Sequence, residues 1–378
     1  MTARPTRVLI LTASYGSGHA EAARSLATAF EARDVEPVVV DHFRELVGPV
    51  FASVSRAIYY RLLRHAPWLW AIGYGLGDRL GPDSPFALGV PSLGRAPLAR
   101  LLATLRPDAV VTVHATPAAA LAGLAAAGHS VPPHTTAVTD YVAHSQWMAR
   151  PVDRYCVAAE EVRNEFVARG IPPERVVVTG VPLRAAFSRS VDPVAARLAL
   201  GLAPHRRTVV AMAGTQGSLG RLLDVTRALL TVEQPLQAVI VAGRDEGLRG
   251  RLAHLAAGSS LQVTGYTDDV ATLLGAADLL VTKAGGMTLA EATAAEVPLL
   301  LYGSLPGQER GNERFASRAG IALVARSRGE LRRLLDRALG DPDTVERMQR
   351  SLCRLRRPDA AQHVVELVLE QIVARRRP

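Results

Sequence analysis

The sequence predicts an α/β protein made of two Rossmann-like domains, each built on a doubly wound parallel sheet. The chain has 378 residues, which exceeds one typical hydrophobic core and favours two domains. Short apolar runs alternate with amphipathic helical patterns, as they do in successive βαβ units. The alternation stops near residue 183 and resumes at residue 208, after a polar, proline-containing stretch. We therefore expect two sheets joined by a hinge at 183–205.

The first predicted domain, residues 1–185, contains apolar runs with the length of buried parallel strands. A helical pattern at 20–32 separates the first two runs. The predicted strands are 7–12, 37–41, 109–113, 135–140 and 154–157.

The second predicted domain, residues 206–345, repeats this arrangement. Its predicted strands are 208–214, 238–243 and 279–282. The remaining segment, 346–378, has a helical pattern and ends in a run of three arginines. It is predicted to be a C-terminal helix, which could cross back to the first domain.

The composition narrows the classes of protein to which the chain can belong. Hydrophobic residues make up 48% of the chain and charged residues 21%, as in typical globular proteins. Cys156 and Cys353 lack metal-ligand spacing, so we expect no disulfide scaffold, no metal site and a reducing cytoplasm. The first residues lack a secretory pattern, and no apolar run is long enough to span a bilayer.

The formal net charge of +9 indicates either an anionic partner or a solvated, arginine-rich surface. No zinc-finger, RNP or helix-turn-helix pattern is found, so we expect no nucleic-acid partner. An anionic membrane surface remains open. The stretch 57–70 mixes Tyr59, Tyr60, Trp68 and Trp70 with leucines and arginines, a composition that suits a membrane interface. A helix packed on the core is the alternative interpretation.

A glycine turn follows the first predicted strand and precedes a helix. Such a turn is the usual place for a polar ligand in an open α/β sheet, and Gly16 and Gly18 allow close approach to the backbone. His19 would occupy the pyrophosphate turn of a dinucleotide site, which argues against NAD although Asp41 ends the second strand. A histidine here can be a general base, hold an anion, or make a structural hydrogen bond.

Four polar loops of the second half occur in the order of a nucleotide-diphosphate site. The first follows a strand and carries Gly214 and Gly217, which suit an anion-cradling loop. The other three are 265–270, 282–288 and 306–312. Glu291 is predicted in the first turn of the next helix, where its carboxylate suits ribose hydroxyls better than phosphates.

Lys283 is the only lysine among the 44 lysine and arginine residues. An ammonium is a compact charge on a thin stem, whereas a guanidinium is a wide planar fork. The simplest interpretation is that this site is too narrow for an arginine guanidinium. The alternative is that this lysine has no special role and was retained by chance. Lys283 is predicted to touch a phosphate or to fix its loop by pairing with an acid such as Asp278.

These motifs, in this order, resemble one group of glycosyltransferases. The group includes monogalactosyldiacylglycerol synthases, processive diacylglycerol glucosyltransferases and, more distantly, the lipid-II-forming glycosyltransferase of peptidoglycan synthesis. The resemblance covers nearly the whole chain and is more specific for the family than for the acceptor. It rests on the segments 16–19, 40–41, 60–67, 107–108, 138–153, 178–182, 241–244, 265–268, 277–288, 291–292 and 306–312.

The resemblance implies a GT-B fold, in which two Rossmann-like domains face a cleft. It also implies inverting transfer of a hexose from a UDP-sugar, with no bound metal ion or other cofactor. Carried over by position, Tyr266 lies by the uracil and Glu291 holds the ribose hydroxyls. The diphosphate is lined by Gly285, Gly286, Met287 and Thr288, the sugar faces Gln308, Glu309 and Asn312, and the donor site also includes Gly214, Gly217, Arg244 and Lys283.

On the acceptor side, the resemblance places His19 and Asp140 near the reacting hydroxyl. A solvated histidine titrates nearer neutral pH than an aspartate, so His19 is favoured as the base or its relay. The alternative is Asp140 as the base with His19 binding the acceptor, and His114 is a third candidate. The predicted acceptor and membrane region comprises Gly16, Gly18, His114, Tyr59, Tyr60, Trp68 and Trp70.

The leading hypothesis is therefore a cytoplasmic enzyme, peripheral on the inner face of the cell membrane, that adds a hexose to diacylglycerol. One alternative keeps the enzyme class but uses a soluble natural-product acceptor. A catalytically silent UDP-sugar-sensing protein and a sugar-nucleotide epimerase of similar shape are the others. The sequence leaves open which sugar is transferred and how many are added.

Overall fold

The structure, a computed structural model, describes residues 4–13, 16–80, 92–214 and 221–376. Gly217, predicted to help cradle the donor phosphates, lies outside the described residues. The chain divides into two compact units. The first comprises Met1–Ala185, Pro306–Gln308 and Asp359–Pro378, and the second comprises Ala186–Leu305 and Glu309–Pro358.

The first unit contains a six-stranded parallel sheet in the order β2-β1-β3-β4-β5-β6. Leu9 in β1 lies opposite Val38 in β2 and Val110 in β3. The central strands are buried on both faces, which explains why the sequence shows them as continuous apolar runs. The strands are β1 Arg7–Thr12, β2 Glu36–Asp41, β3 Ala109–Thr112, β4 His134–Ala137, β5 Arg154–Val157 and β6 Val176–Val178.

The helices are numbered in chain order. Those described in the first unit are α1 Ser17–Glu31, α2 Pro49–His65, α3 Pro67–Leu80, α4 Arg95–Leu105, α5 Ala115–Ala126, α6 Glu160–Ala168 and α15 Ala360–Arg376. A π-helical turn, His42–Val47, and two 3-10 turns, Ser145–Trp147 and Pro173–Arg175, complete it.

Asp41 caps the π-helical turn that follows β2. Its Oδ1 accepts the N–H groups of Phe43 at 3.1 Å and Arg44 at 3.0 Å. A carboxylate that satisfies two otherwise orphaned backbone donors has a structural role. The acid that made NAD binding worth considering is thus accounted for by the fold.

The second unit contains a second six-stranded parallel sheet, in the order β12-β11-β10-β7-β8-β9. Its core includes the fully buried residues Val209, Ile240 and Leu335. The strands are β7 Thr208–Met212, β8 Gln237–Val241, β9 Leu261–Thr264, β10 Leu279–Thr282, β11 Leu299–Tyr302 and β12 Ala322–Ala325. The described helices are α7 Pro193–Ala199, α8 Leu222–Leu229, α9 Glu246–Ala256, α10 Val270–Gly275, α11 Gly286–Ala294, α12 Gln308–Arg318, α13 Arg328–Gly340 and α14 Pro342–Leu355, with one 3-10 turn, Ala185–Ser188. The first residues of α12 and of this turn, Gln308 and Ala185, are assigned to the first unit.

The stretch predicted as a hinge belongs largely to the second unit, which begins at Ala186. Arg197 of α7 is buried and donates to the carbonyl oxygen of Ala276 at 3.0 Å. It also pairs with Asp278 at 2.9 Å, and Asp278 accepts the N–H of Thr208 at 2.7 Å. These contacts fasten α7 to the start of β7.

The C-terminal segment is divided between the units. Helix α14 belongs to the second unit, so residues 346–358 do not form one helix with the rest. Helix α15 belongs to the first unit, where Glu366 pairs with Arg33 at 2.7 Å and Gln371 accepts a hydrogen bond from Thr135 at 2.8 Å.

Candidate active site

The site in the first unit lies at the carboxyl ends of adjacent strands. His19 stands in the first turn of α1 after β1, and His114 follows β3. Their ring centroids are 4.7 Å apart in an edge-on arrangement, and the Trp147 ring is 6.2 Å from that of His19. Asp140, half-buried, follows β4. The parallel order β1-β3-β4 therefore brings together three residues that the sequence analysis associated with the acceptor.

The orientation of the His19 ring is fixed by one backbone group. Its Nδ1 lies 2.8 Å from the carbonyl oxygen of Val113. Because a carbonyl oxygen can only accept, Nδ1 must carry the proton, and Nε2 of the neutral ring has the free lone pair. The hydroxyl of Thr139 also lies 3.0 Å from Nδ1.

The sequence analysis assumed a solvated His19, but the structure shows that this side chain is half-buried. Burial lowers its pKa, while the negative charge of Asp140 and the hydrogen bond to Val113 oppose the shift. At neutral pH the ring is therefore neutral, with an acceptor nitrogen available.

His114 has a different role from His19. Its Nδ1 accepts the N–H of Thr116 at 3.1 Å, so the ring caps the start of α5. Burial and the neighbouring rings of His19 and His42 lower the pKa of His114 well below its usual value. Because Nδ1 of His114 already accepts this hydrogen bond, the ring lines the site and does not act as a second base.

The glycine turn opens toward free space. Gly16 precedes α1 in an extended conformation, and a Cβ built on it would meet nothing within 4 Å. Packing does not require glycine at this position, so the open space can admit a ligand. Gly18 lies in the first turn of α1, one residue before His19.

The aromatic stretch spans α2 and α3 and is only partly exposed. Trp68 is 61% exposed, whereas Tyr59, Tyr60 and Trp70 are half-buried. The rings of Tyr59 and Trp70 pack edge to face at 4.9 Å. Three of the four predicted membrane residues thus pack largely within the helical pair.

An apolar surface that the sequence analysis missed lies on the same helical pair. Apart from Leu69, which follows Trp68 directly, its exposed members recur every four residues along each helix, which places them on one face of α2 and one face of α3. We call this set the apolar face: Val50, Val54, Ile58, Trp68, Leu69, Ile72, Leu76 and Leu80. The four-residue spacing was the signal that could have revealed it.

In the second unit, Lys283 follows β10 and pairs with Glu309 at the start of α12. The side chains are only 18% and 9% exposed. The other carboxylate oxygen of Glu309 accepts the N–H of Leu305 at 2.8 Å. Asp278, suggested as a partner for Lys283, instead pairs with Arg197, so that suggestion was wrong.

The loop after β10 leads into α11, which begins at Gly286. Gly285 is its N-cap, and Gly286, Met287 and Thr288 lie in the first turn, where the side chains of Met287 and Thr288 are half-buried. Glu291 is buried in the second turn, so its prediction in the first turn was wrong by about one turn. The free N–H groups of a helix start favour an anion.

The three residues expected to face the sugar occupy different environments. Asn312 is fully buried, and its Nδ2 donates to the carbonyl oxygen of Ala284 at 3.1 Å. Together with Glu309 it braces the loop that precedes α11. Gln308 is half-buried, and among the described residues its Oε1 has no hydrogen-bond partner.

Two other predicted donor residues contact each other. The guanidinium carbon of Arg244 lies 4.4 Å from the centroid of the Tyr266 ring. The Tyr266 hydroxyl donates to Asp268 at 2.8 Å, and the ring is partly exposed. Gly214 lies two residues after the end of β7. Its φ of 71° is a left-handed conformation that favours glycine.

Among the described residues, no group of three or more histidine, cysteine, aspartate or glutamate side chains is placed to hold a metal ion. Among the helices in the same part of the chain, none combines the length and apolar character needed to cross a membrane.

Comparison with known proteins identifies relatives over nearly the whole chain. Residues 19–183 match the family model of monogalactosyldiacylglycerol (MGDG) synthase, and residues 208–349 match that of the glycosyltransferase family 28 C-terminal domain. A processive diacylglycerol beta-glucosyltransferase of Bacillus thuringiensis is 31% identical over 369 residues, covering 97% of this chain and 94% of the relative. Its namesake in Bacillus cytotoxicus is 32% identical with the same coverage.

Among solved structures, MurG of Acinetobacter baumannii matches with a TM-score of 0.67 at 18% identity, over 97% of this chain and all of that chain. At this level of identity the likeness concerns the fold. Two parallel-sheet α/β units of this kind are those of the GT-B fold, which confirms the predicted fold class.

The buried pair of Lys283 and Glu309 generates a stability prediction. Lys283→Met should lower the free energy of unfolding by about 3 kcal/mol, because Glu309 becomes a buried carboxylate without its cation. Adding Glu309→Gln removes that charge, so the double variant should recover most of the loss. Denaturant unfolding of the full chain without ligand, followed by amide exchange in β10 and β11, measures both effects.

The control for this prediction is Arg251→Met, which removes an exposed cation elsewhere in the second unit. It should change the stability by less than about 0.5 kcal/mol. If Lys283→Met unfolds like the unmodified chain, or if the double variant is no more stable than the single one, the pair does not stabilise these loops.

Proposed function

The chain belongs to the family of the processive diacylglycerol β-glucosyltransferases, and we propose that it transfers a hexose from a UDP-sugar to diacylglycerol with inversion at the anomeric carbon. The observation that carries the proposal is the neutral His19, held with Nδ1 on a carbonyl oxygen and Nε2 free. A residue in this state can accept the proton of an attacking hydroxyl.

In the proposed reaction, the free hydroxyl oxygen of diacylglycerol forms a bond to the anomeric carbon while the bond from that carbon to UDP breaks. The hydroxyl proton passes to Nε2 of His19. The imidazolium that forms is stabilised by the negative charge of Asp140, which already raises the pKa of His19 against the effect of burial. Asp140 is thus a charge partner, and Asp140 as the base itself is the competing assignment.

On the donor side, the departing UDP gains negative charge. The N–H groups at the start of α11 are suited to stabilise it without a bound metal ion. In this proposal Tyr266 and Arg244 lie by the uracil, Glu291 holds the ribose hydroxyls, and Gln308 faces the sugar. The unpartnered Oε1 of Gln308 supports the last assignment, since a sugar hydroxyl would satisfy it.

We further propose that the enzyme works as a peripheral protein on the cytoplasmic face of an anionic membrane, which it meets through the apolar face of α2 and α3. Exposed apolar side chains on a helix favour the headgroup region when basic residues flank them. Arg61 and Arg64, both exposed on the same side of α2, supply the basic groups. The apolar face favours a lipid acceptor, because an enzyme that acts on a soluble acceptor does not need an exposed apolar surface for contact with a membrane.

The central test is the product. The full chain should yield a hexosyl-diacylglycerol when incubated with diacylglycerol and one of UDP-glucose, UDP-galactose or UDP-N-acetylglucosamine, and mass spectrometry would identify the sugar. Products with two or more hexoses would establish processive addition. Turnover of a soluble aglycone with no product from diacylglycerol under any donor would contradict the lipid acceptor.

The proposed base predicts a pH dependence. Because the pKa of His19 is lowered from 6.5, the active neutral form persists below that pH, and kcat/KM should fall only as the pH drops further. Asp140→Asn removes the charge that raises this pKa, so the acid limb should move to still lower pH while activity persists. His19→Ala should reduce kcat about 10²–10⁴-fold.

The matched control for this series is His129→Ala, an exposed histidine of the first unit, which should leave the profile unchanged. Loss of all activity in Asp140→Asn, with a residual acid limb in His19→Ala, would instead make Asp140 the base.

The apolar face predicts membrane binding. Replacing Ile58 and Ile72 together by glutamate should abolish co-sedimentation with vesicles that contain anionic lipid, because two charges would have to enter the interface. UDP binding should be unaffected. The control replaces Leu198 and Val373, which are similarly exposed elsewhere, with the same change in net charge. Equal vesicle binding by both double variants would contradict the proposed membrane face.

A further inference from the structure

Helix α3 has two sides with different surroundings. Trp68, Ile72 and Leu76 of the apolar face are exposed and lie four residues apart. Trp70 and Tyr74 have the same spacing but are offset by two residues, about 200° of rotation, so they lie on the opposite side of the helix. Both are half-buried. We call this side the packed face: Trp70, Tyr74, Gly77 and Asp78.

The packed face is fastened to the 3-10 turn Ser145–Trp147. The ring of His144, which precedes this turn, lies on that of Tyr74 with the centroids 4.0 Å apart, and its Nε2 donates to the Tyr74 carbonyl oxygen at 3.0 Å. Asp78 accepts the N–H of the first residue of the turn at 2.8 Å and pairs with Arg169 at 2.7 Å. These contacts fix the orientation of α3 in the first unit.

The packed face also contacts Gly307. The segment Pro306–Gln308 is assigned to the first unit. A Cβ built on Gly307 would lie only 2.9 Å from Nε1 of Trp70 and 3.2 Å from Cγ of Tyr74, so a side chain at this position would collide with the rings. The φ of Gly307 is 88°, in the left-handed region. Glycine is therefore required here both by the backbone conformation and by the approach of two aromatic rings.

The Trp70 indole supports Gly307 by its shape. Its ring packs edge to face on Tyr59 at 4.9 Å, and its Nε1 is buried, with no hydrogen-bond partner in the described part of the chain. A large planar side chain fills the space beside Gly307, and its removal would leave a gap into which the segment could move.

The segment that Trp70 supports carries a residue of the proposed donor site. Gln308, its last residue, begins α12 and is proposed to face the sugar. The next residue, Glu309, accepts the N–H of Leu305 and pairs with Lys283. Gln308 is thus flanked by two fixed points, Gly307 against α3 and Glu309 in its ion pair.

We propose that Trp70 is a positioning residue that fixes Gly307 and thereby holds Gln308 in place for the transferred sugar, an inference that rests on the proposed function. A misplacement of about 1 Å at a reacting site can lower a rate about 100-fold. Trp70 lies on the same helix as Ile72 and Leu76, so one helix carries both the proposed membrane contact and the support of the sugar-facing segment.

The first test measures the segment itself. Amide exchange of a peptide covering 303–312 is followed by mass spectrometry in the full chain without ligand, for the unmodified protein, Trp70→Ala, Trp70→Phe and Trp68→Ala. Trp70→Ala should exchange about tenfold faster, because the segment loses its support, whereas Trp70→Phe keeps a planar ring and should stay within about threefold. The matched control Trp68→Ala, on the apolar face, should match the unmodified protein.

The second test measures transfer and UDP affinity. Trp70→Ala and Gly307→Ala should each lower kcat/KM for the UDP-hexose about 10–100-fold and change the Kd of UDP, which lacks the sugar, by less than about threefold. Trp70→Phe should retain most of the activity. Gly201→Ala is the control for backbone strain, since Gly201 has φ of 68° but a Cβ there would meet nothing within 4 Å. It should leave kcat/KM unchanged.

The outcomes separate this inference from the proposed function. Unchanged exchange at 303–312 in Trp70→Ala, or unchanged transfer, would overturn the inference and leave the proposed function standing. An equal loss of transfer and UDP affinity would mean that Trp70 only supports the fold, which also overturns the inference. If the unmodified protein binds UDP but forms no hexosyl-diacylglycerol, the proposed function fails, and the exchange test still decides whether Trp70 supports Gly307.

Discussion

Every strand pairing described in the two sheets is parallel. A parallel neighbour is reached only through a crossover, so each strand delivers its following loop to the same edge of the sheet. This constraint sets His19 beside His114, because β1 and β3 are adjacent although their residues are far apart in the sequence. It likewise sets Lys283, after β10, beside Glu309, after β11. Both candidate sites depend on it.

In the second unit, internal pairing decides which polar groups remain available to a ligand. Glu309 is held by Lys283 and by the N–H of Leu305, and Asn312 is held by the carbonyl of Ala284. These buried contacts fix the shape of the loop before α11, since breaking any of them would leave an uncompensated polar group. Of the residues near this loop, Gln308 keeps an unpartnered polar atom, so positioning and ligand contact fall to different side chains.

The sequence predicted the central strands well because their signal is local. A strand buried on both faces must be a continuous apolar run, so β1, β5 and β10 were located to the residue. Partners were harder to predict. Asp278, five residues away, was suggested as one possible partner for Lys283, whereas the fold brings Lys283 to Glu309 across a strand pairing. The exposure of individual side chains was hardest to predict. Trp68 and Trp70 are the same residue type, and Trp70 is the less exposed of the two because it packs against Tyr59.

His19 and Asp140 entered as rivals for one role, and their environment makes them complementary in the proposed reaction. Burial keeps His19 neutral, which makes its lone pair available at neutral pH but also weakens it as a base, because a lowered pKa means a less stable imidazolium. The negative charge of Asp140 offsets this effect because it stabilises the imidazolium that forms when His19 takes up the proton. A buried base without such a neighbour would be neutral but ineffective, and a neighbour without burial would leave the ring protonated more often. The pair meets both requirements, with the Val113 carbonyl deciding which nitrogen acts.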